Sequence, residues 1–182
     1  MKLKILLEKI NKVVKQNQEL SALKGENFNV FQIFEMEGDE NKMHSRFINT
    51  LLDPQGKHGR GTVFLKLFLD TLNISDYFEN IDNVSTKVEH PVGKVQIEAM
   101  DSTGGRIDIF IWDNKKSISI ENKIYAGDQE YQIVRYCNYM KSTNRVYYLN
   151  LYGTEPEGEL STGKLKSDIN EQTEKADFFC IS

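Results

Sequence analysis

The chain has 182 residues, 39% hydrophobic and 27% charged, with 3 prolines and 12 glycines, which makes about one globular domain and excludes collagen-like, coiled-coil-only and wholly disordered architectures. The formal net charge of -4 lacks the basic excess that phosphate contacts ordinarily display, so a nucleic-acid partner needs a local site. Cys137 and Cys180 show no CxxC or Cys/His spacing, no run approaches the ~18 apolar residues of a membrane span, and Glu8-Lys9 close the Ile5–Leu7 stretch too soon for a secretory signal. A reducing compartment, the cytoplasm, and no membrane partner are expected.

Leu3, Leu6, Ile10, Val13 and Leu20 recur at helical spacing over residues 2 to 20, predicting an amphipathic helix. Six lysines against Glu8 and Glu19 through Lys24 read as the solvated face of a helix that packs on the core, in preference to a nucleic-acid arm. Asp39 and Glu40 precede a second helix with Met43, Phe47, Ile48, Leu51 and Leu52 on its apolar face, stopped by Asp53-Pro54. After a turn at His58-Gly59-Arg60-Gly61, the stretch Val63 to Leu72 is apolar on most sides and predicts a buried helix. Strands are expected at Val84 to Val92, Lys94 to Ala99, Arg106 to Trp112 and Ser117 to Ile124. Asp128 then caps a helix to about Lys141, and Arg145 to Tyr152 returns as a strand. Residues 153 to 175 read as a mobile polar loop. The last residues, Phe178 to Ser182, look like a strand that either ends the sheet or marks the chain as a fragment.

A hairpin closed around Asn114-Lys115 pairs Asp113 with Lys116 and carries Asp108 opposite Glu121. Alternation puts Asp108, Glu121 and Lys123 on one face, and Ile107, Ile109, Ile118 and Ile120 on the other. Opposed carboxylates repel, an arrangement that a hard divalent cation such as Mg2+ or Mn2+ neutralises with oxygen ligands from both plus a backbone carbonyl. Lys123 places an ammonium where it can position water or meet developing negative charge. The competing reading is a surface face of alternating charges with a register free to slip. His44 and His58 have no nucleophile or metal-spaced partner and read as structural, Gly59 and Gly61 as a turn with no P-loop Lys-Ser/Thr, and Cys137 as core.

Asp108 followed by Glu121-Asn122-Lys123 resembles the D...ExK signature of the PD-(D/E)XK nuclease superfamily, with Ile107 where that signature has Pro. Gln132-Ile133-Val134-Arg135-Tyr136 is similar to the QxxxY motif of its RecB-like branch, and Gln132 and Tyr136 share a helix face. His44-Ser45, Leu51-Leu52-Asp53-Pro54, His58-Gly59-Arg60-Gly61 and Phe64-Leu65 resemble a bacterial subgroup whose segments read HSxxL...LLDP...HGxGxxFL. The likeness spans residues 28 to 151, and members of the subgroup usually continue further. It implies an α/β, restriction-endonuclease-like core, with a central mixed sheet of about four or five strands flanked by helices and an N-terminal helical addition. All of residues 1–182 then form a single domain, with the N-terminal helix to 24, the core over 28–151, and the polar loop and last strand over 153–182.

The resemblance further implies that Asp108 and Glu121 bind the metal, Mg2+ or Mn2+, with the Asn122 carbonyl as third ligand, and that Lys123 is the catalytic lysine. Gln132 and Tyr136 orient the metal site or the substrate strand. Glu40, one turn before His44, is the candidate for the glutamate of the first core helix, with Glu35 and Glu37 close by. Tyr136, Gln129 and Arg106 are the expected nucleic-acid contacts; Arg106 and Arg135 are candidates to touch phosphates, with ordinary surface charge at least as strong a reading. The expected function is metal-dependent hydrolysis of phosphodiester bonds, in DNA before RNA. The alternatives are an inactive nuclease-fold module that binds nucleic acid or protein, and an assembly module that homo-oligomerises through the apolar seam of residues 3 to 20.

Overall fold

The computed structural model describes residues 2–23, 43–169 and 176–182, and the chain divides into two units, Met1–Glu37 and Gly38–Ser182. In the first, the amphipathic spacing yields helix α1, Lys2–Leu23. Its Leu6, Leu7, Ile10, Val13, Val14 and Leu20 are exposed. No described helix is long and apolar enough to cross a membrane.

The second unit is a mixed five-stranded sheet with helices on both faces. Its strands, β1 (Ser85–Pro91), β2 (Arg106–Trp112), β3 (Ser117–Lys123), β4 (Asn144–Asn150) and β5 (Phe179–Ile181), lie in chain order across the sheet. The first three form an antiparallel meander, and β4 and β5 join in parallel, each after the crossover that parallel pairing demands. Helices α2 (Ser45–Leu52) and α3 (Val63–Thr71) precede the sheet. The crossover from β3 to β4 carries α4, Gln132–Asn138, and that from β4 to β5 carries α5, Glu159–Thr162. β3 is buried along its whole length, as a strand covered on both faces must be.

One core cluster joins Leu52 of α2 and Leu65 and Leu69 of α3 to Ile109, Ile111, Ile118 and Ile120 of the sheet. The other joins Ile133 and Tyr136 of α4 to Phe110, Val146 and Phe178. Ile107 belongs to the second cluster, not with Ile109 as strict alternation predicts. β1 is irregular beside it: Val88 pairs Ile109 and His90 pairs Ile107, while Glu89, between them, has a positive φ of 52°.

Four other expectations are corrected. Lys94–Ala99 is not a strand: a single bridge, Gln96 to Thr103, joins it to the chain, because Lys94 to Ala99 are exposed throughout and no face is covered. The helix after β3 starts at Gln132, not Asp128, because Tyr131 has a left-handed φ of 49°. Asp128 caps nothing there; its carboxylate accepts from Tyr148 Oη at 3.2 Å and from the Glu157 amide at 3.1 Å. α3 buries one face only, with Val63 and Leu67 exposed. Finally, the 153–169 stretch is packed: Pro156, Ser161, Thr162 and Ser167 are buried, and the Leu160 carbonyl accepts from the Tyr131 amide at 2.7 Å. The start of the second helix at Asp39-Glu40 lies outside the described residues. α2 ends where the Asp53 amide returns to Asn49 O at 3.0 Å and Pro54 follows.

Candidate active site

The hairpin register is the one that the turn at Asn114-Lys115 predicts: Trp112 pairs Ser117, Ile111 pairs Ile118 and Ile109 pairs Ile120. One step further, the Asp108 side chain takes over from the backbone ladder, its Oδ2 accepting the Asn122 amide at 2.9 Å. This bond fixes the Asp108 carboxylate at the end of β2 against the end of β3, next to Glu121.

Glu121 is 2% exposed, Asp108 8% and Lys123 7%, so two carboxylates and one ammonium share a desolvated space. Glu121 Oε1 meets Lys123 Nζ at 3.1 Å and Gln132 Nε2 at 2.7 Å. Lys123 Nζ also donates to Gly127 O at 3.1 Å. Gln132 Nε2 lies 3.2 Å from Tyr136 Oη, which donates to Arg106 O at 2.5 Å. The i, i+4 spacing on α4 thus builds a buried relay from the β2 backbone to the Glu121 carboxylate. Asn122 points to the opposite face, donating to Ser45 Oγ of α2 at 3.1 Å.

Burial, and then the charge of Asp108, push the Glu121 carboxyl up from 4.5 to about 8 against the pull of Lys123. Burial, and then Glu121, likewise raise the Tyr136 phenol. Two polar oxygens at the centre are left over: Glu121 Oε2 and Gln132 Oε1 are buried and have no hydrogen-bond partner among the described residues. Orphaned buried acceptors are rare, and here they are hard oxygen donors beside an excess of carboxylate. The donor set fits a divalent cation of the Mg2+ or Mn2+ type. Among the described residues no three His, Cys, Asp or Glu side chains gather on one point.

Asp108, Glu121, Lys123, Gln132 and Tyr136 are therefore brought together. Gln132, Tyr136, Gln129 and Arg106 also line a cleft of about 360 Å³, although Tyr136 is buried in its wall and Arg106 is ion-paired to Glu89 Oε2 at 3.0 Å. Glu40, Glu35 and Glu37 lie outside the described residues. His58 is held in the turn, its Nε2 3.0 Å from Asp53 O and its Nδ1 accepting the Arg60 amide at 3.0 Å. The Gly127 carbonyl escapes the sequence reading, and Ser45 enters it only through the His44-Ser45 motif, with no sign of its contact to Asn122. Arg135, read from sequence as a phosphate contact or as ordinary surface charge, is buried.

Residues 28–173 match the sequence model of the PD-(D/E)XK nuclease superfamily. No curated protein and no solved structure matches the chain. A model that covers most of the chain, on a mixed five-stranded sheet whose D...ExK hairpin closes on itself, decides the family: the chain belongs to the PD-(D/E)XK nuclease superfamily.

Proposed function

We infer that this chain uses a divalent metal, as nucleases of its superfamily generally do. We propose that this chain hydrolyses phosphodiester bonds in DNA with Mg2+ or Mn2+ held by Asp108, Glu121 and the Asn122 carbonyl. The observation that carries the reading is the orphaned Glu121 Oε2 beside Asp108, in a pocket where Glu121 Oε1 is already taken by Lys123 and Gln132. When bound, such a cation supplies Lewis acidity and lowers the pKa of water, and it screens the charge that develops on a phosphodiester oxygen.

The chain's own residues supply the alignment. Gln132, itself held by Tyr136, fixes Oε1 and so aims the other oxygen of Glu121. Lys123, tethered between Glu121 Oε1 and Gly127 O, keeps an ammonium beside the position of attack and faces the growing negative charge there. Glu40 remains the candidate for a further acidic contact, and Gln129 and Arg106 for contacts to the strand. On α1, exposed Leu6, Ile10, Val13 and Leu20 at spacings of four, three and seven support self-association, and a monomer by light scattering sinks that part.

The test is titration calorimetry of Mn2+ and Mg2+ into wild type and Asp108→Ala, with cleavage assays on single- and double-stranded DNA and on RNA. The expected result is metal binding lost in the variant, and cleavage that requires metal and both Asp108 and Glu121. Folded wild type that binds no metal overturns the reading in favour of an inactive binding module.

A further inference from the structure

Arg135 of α4 is 2% exposed, yet none of the ion pairs among the described residues includes it. Its Nη1 donates to Gly104 O at 3.1 Å and its Nη2 to Gln129 Oε1 at 3.3 Å, both neutral acceptors. Its Nε is buried with no hydrogen-bond partner among the described residues. The Tyr136 ring, 5.8 Å from Cζ, adds only the weak attraction of a ring quadrupole. A guanidinium does not deprotonate in proteins, so it keeps its full charge in a place where an uncompensated ion is strongly disfavoured. No described residue supplies the counter-charge.

The surroundings say where it enters. The guanidinium lies against Gly105, at φ 116°, where a Cβ would stand 2.5 Å from Nη1. Gly105, Gly93, Gln129, Gln132 and Arg106 line with it the cleft of about 360 Å³. Glu89 is on the same wall, but its carboxylate is engaged with Arg106 at 3.0 Å, which leaves Arg135 without an ion pair among the described residues. Gln132 is the common wall between this cleft and the Asp108–Glu121 pair, since it lines the one and bonds Glu121 Oε1 of the other.

We infer that Arg135 is a binding site for a phosphate group of the nucleic-acid strand that runs through this cleft to the Asp108–Glu121 site. The inference rests on the nuclease reading for the identity of the ligand, and on the buried, unpaired guanidinium for the existence of the site. A planar fork of donors suits tetrahedral phosphate oxygens. In a chain of net charge -4, one desolvated arginine supplies locally the attraction that composition does not.

The experiment uses the full chain in EDTA, so that binding is read without cleavage. The anisotropy of a short labelled single-stranded DNA, with a 5′-phosphate or a 5′-hydroxyl, is followed across salt concentrations for wild type, Arg135→Gln and Arg135→Lys. Arg135→Gln is expected to weaken binding at least tenfold and to reduce the slope of log affinity against log salt by about 0.7, one single-strand phosphate contact; Arg135→Lys retains the slope and loses part of the affinity. A purely structural role lowers the melting temperature and leaves the slope untouched. A loss confined to the 5′-phosphorylated strand identifies a terminal monoester; a loss on both strands identifies an internal diester.

Wild type that binds neither strand, or folded Arg135→Gln with wild-type affinity and slope, overturns the inference. If Arg135→Gln does not fold, Arg135→Lys decides: inorganic phosphate, against chloride at equal ionic strength, must raise the melting temperature of wild type more than that of Arg135→Lys, and equal shifts overturn the site. Cleavage with added metal is scored separately. Strand binding through Arg135 without any cleavage overturns the nuclease reading and leaves the phosphate site standing; cleavage with no effect of Arg135 on the slope does the reverse.

Discussion

Glu121→Gln should stabilise the metal-free protein, and its pH dependence can be worked from the site. Below pH 4.5 the Glu121 carboxyl is protonated in both folded and unfolded chains, and the near-isosteric substitution changes little. Between 4.5 and about 8 the unfolded chain gives up the proton while the folded chain keeps it, because burial and Asp108 hold the carboxyl up at about 8. The unfolded state then binds fewer protons, so wild-type stability falls as pH rises and levels off above the folded value. Each pH unit across that window removes ~1.4 kcal/mol, which sets a ceiling of roughly 5 kcal/mol. Water entry and side-chain relaxation on ionisation return part of this, leaving about 2–4 kcal/mol. The amide escapes the whole term. At pH 9 in EDTA the variant should therefore melt roughly 5–15 °C above wild type, with no difference at pH 4.5, and Mn2+ should narrow the gap by stabilising wild type alone. Thermal melts at pH 4.5, 7 and 9 check it. A variant less stable than wild type at pH 9, or a difference that does not change with pH, refutes the reasoning.

Tyr136→Phe removes the hydroxyl that joins Gln132 Nε2 to Arg106 O and should cost about 1–3 kcal/mol in urea denaturation, with cleavage rate falling further than metal affinity as Gln132 loses its hold. Gly104→Ala should cost more than ~3 kcal/mol in the same assay, because φ is 82° and the added Cβ would lie 2.0 Å from the Lys94 carbonyl oxygen, a backbone atom that cannot swing aside; a loss under ~1 kcal/mol would show that the Gly93–Gly105 excursion is loosely held. Burial first, and then Asp177 for Cys137 and Asp168 for Cys180, push both thiols up to about 12, so reaction with an aromatic disulfide at pH 8 should be at least ~100-fold slower in the folded protein than in denaturant. Rapid labelling of either cysteine without unfolding would contradict those environments.

The hairpin that carries Asp108 and Glu121 was legible because two local constraints agreed: a two-residue turn at Asn114-Lys115 and a period-two alternation of isoleucines on either side of it. Between them they leave one register, and that register alone opposes Asp108 and Glu121. Sequence reasoning failed where the outcome depended on covering rather than on pattern. Val95 and Ile97 alternate as a strand does, yet no described residue covers them and they stay exposed; on α1, Leu6, Ile10, Val13 and Leu20 have helical spacing and are exposed as well. The polar 153–169 stretch erred the other way, because hydrogen bonds from Tyr131 and Glu157 to partners distant in sequence hold it in place, and composition carries no trace of such pairings. Irregularities beside the site were equally silent: the positive φ of Glu89 and of Tyr131 is not the usual conformation of either residue type.

Burial explains why the chemistry was visible in outline but not in energy. From sequence, Asp108, Glu121, Lys123, Gln132 and Arg135 are five polar residues that any solvated surface could carry. In the fold each is less than 9% exposed, and the acceptors and donors left over are unevenly placed: two oxygens, Glu121 Oε2 and Gln132 Oε1, around the carboxylate pair, and one nitrogen, Arg135 Nε, toward the neighbouring cleft. A domain selected for stability alone would fill these positions with apolar side chains or pair them off. Unsatisfied oxygens on one side of Gln132 and an unsatisfied guanidinium on the other call for ligands of opposite sign, a cation and an anion. A phosphodiester strand with its divalent metal brings both together, so the folded chain should bind the pair more tightly than either alone.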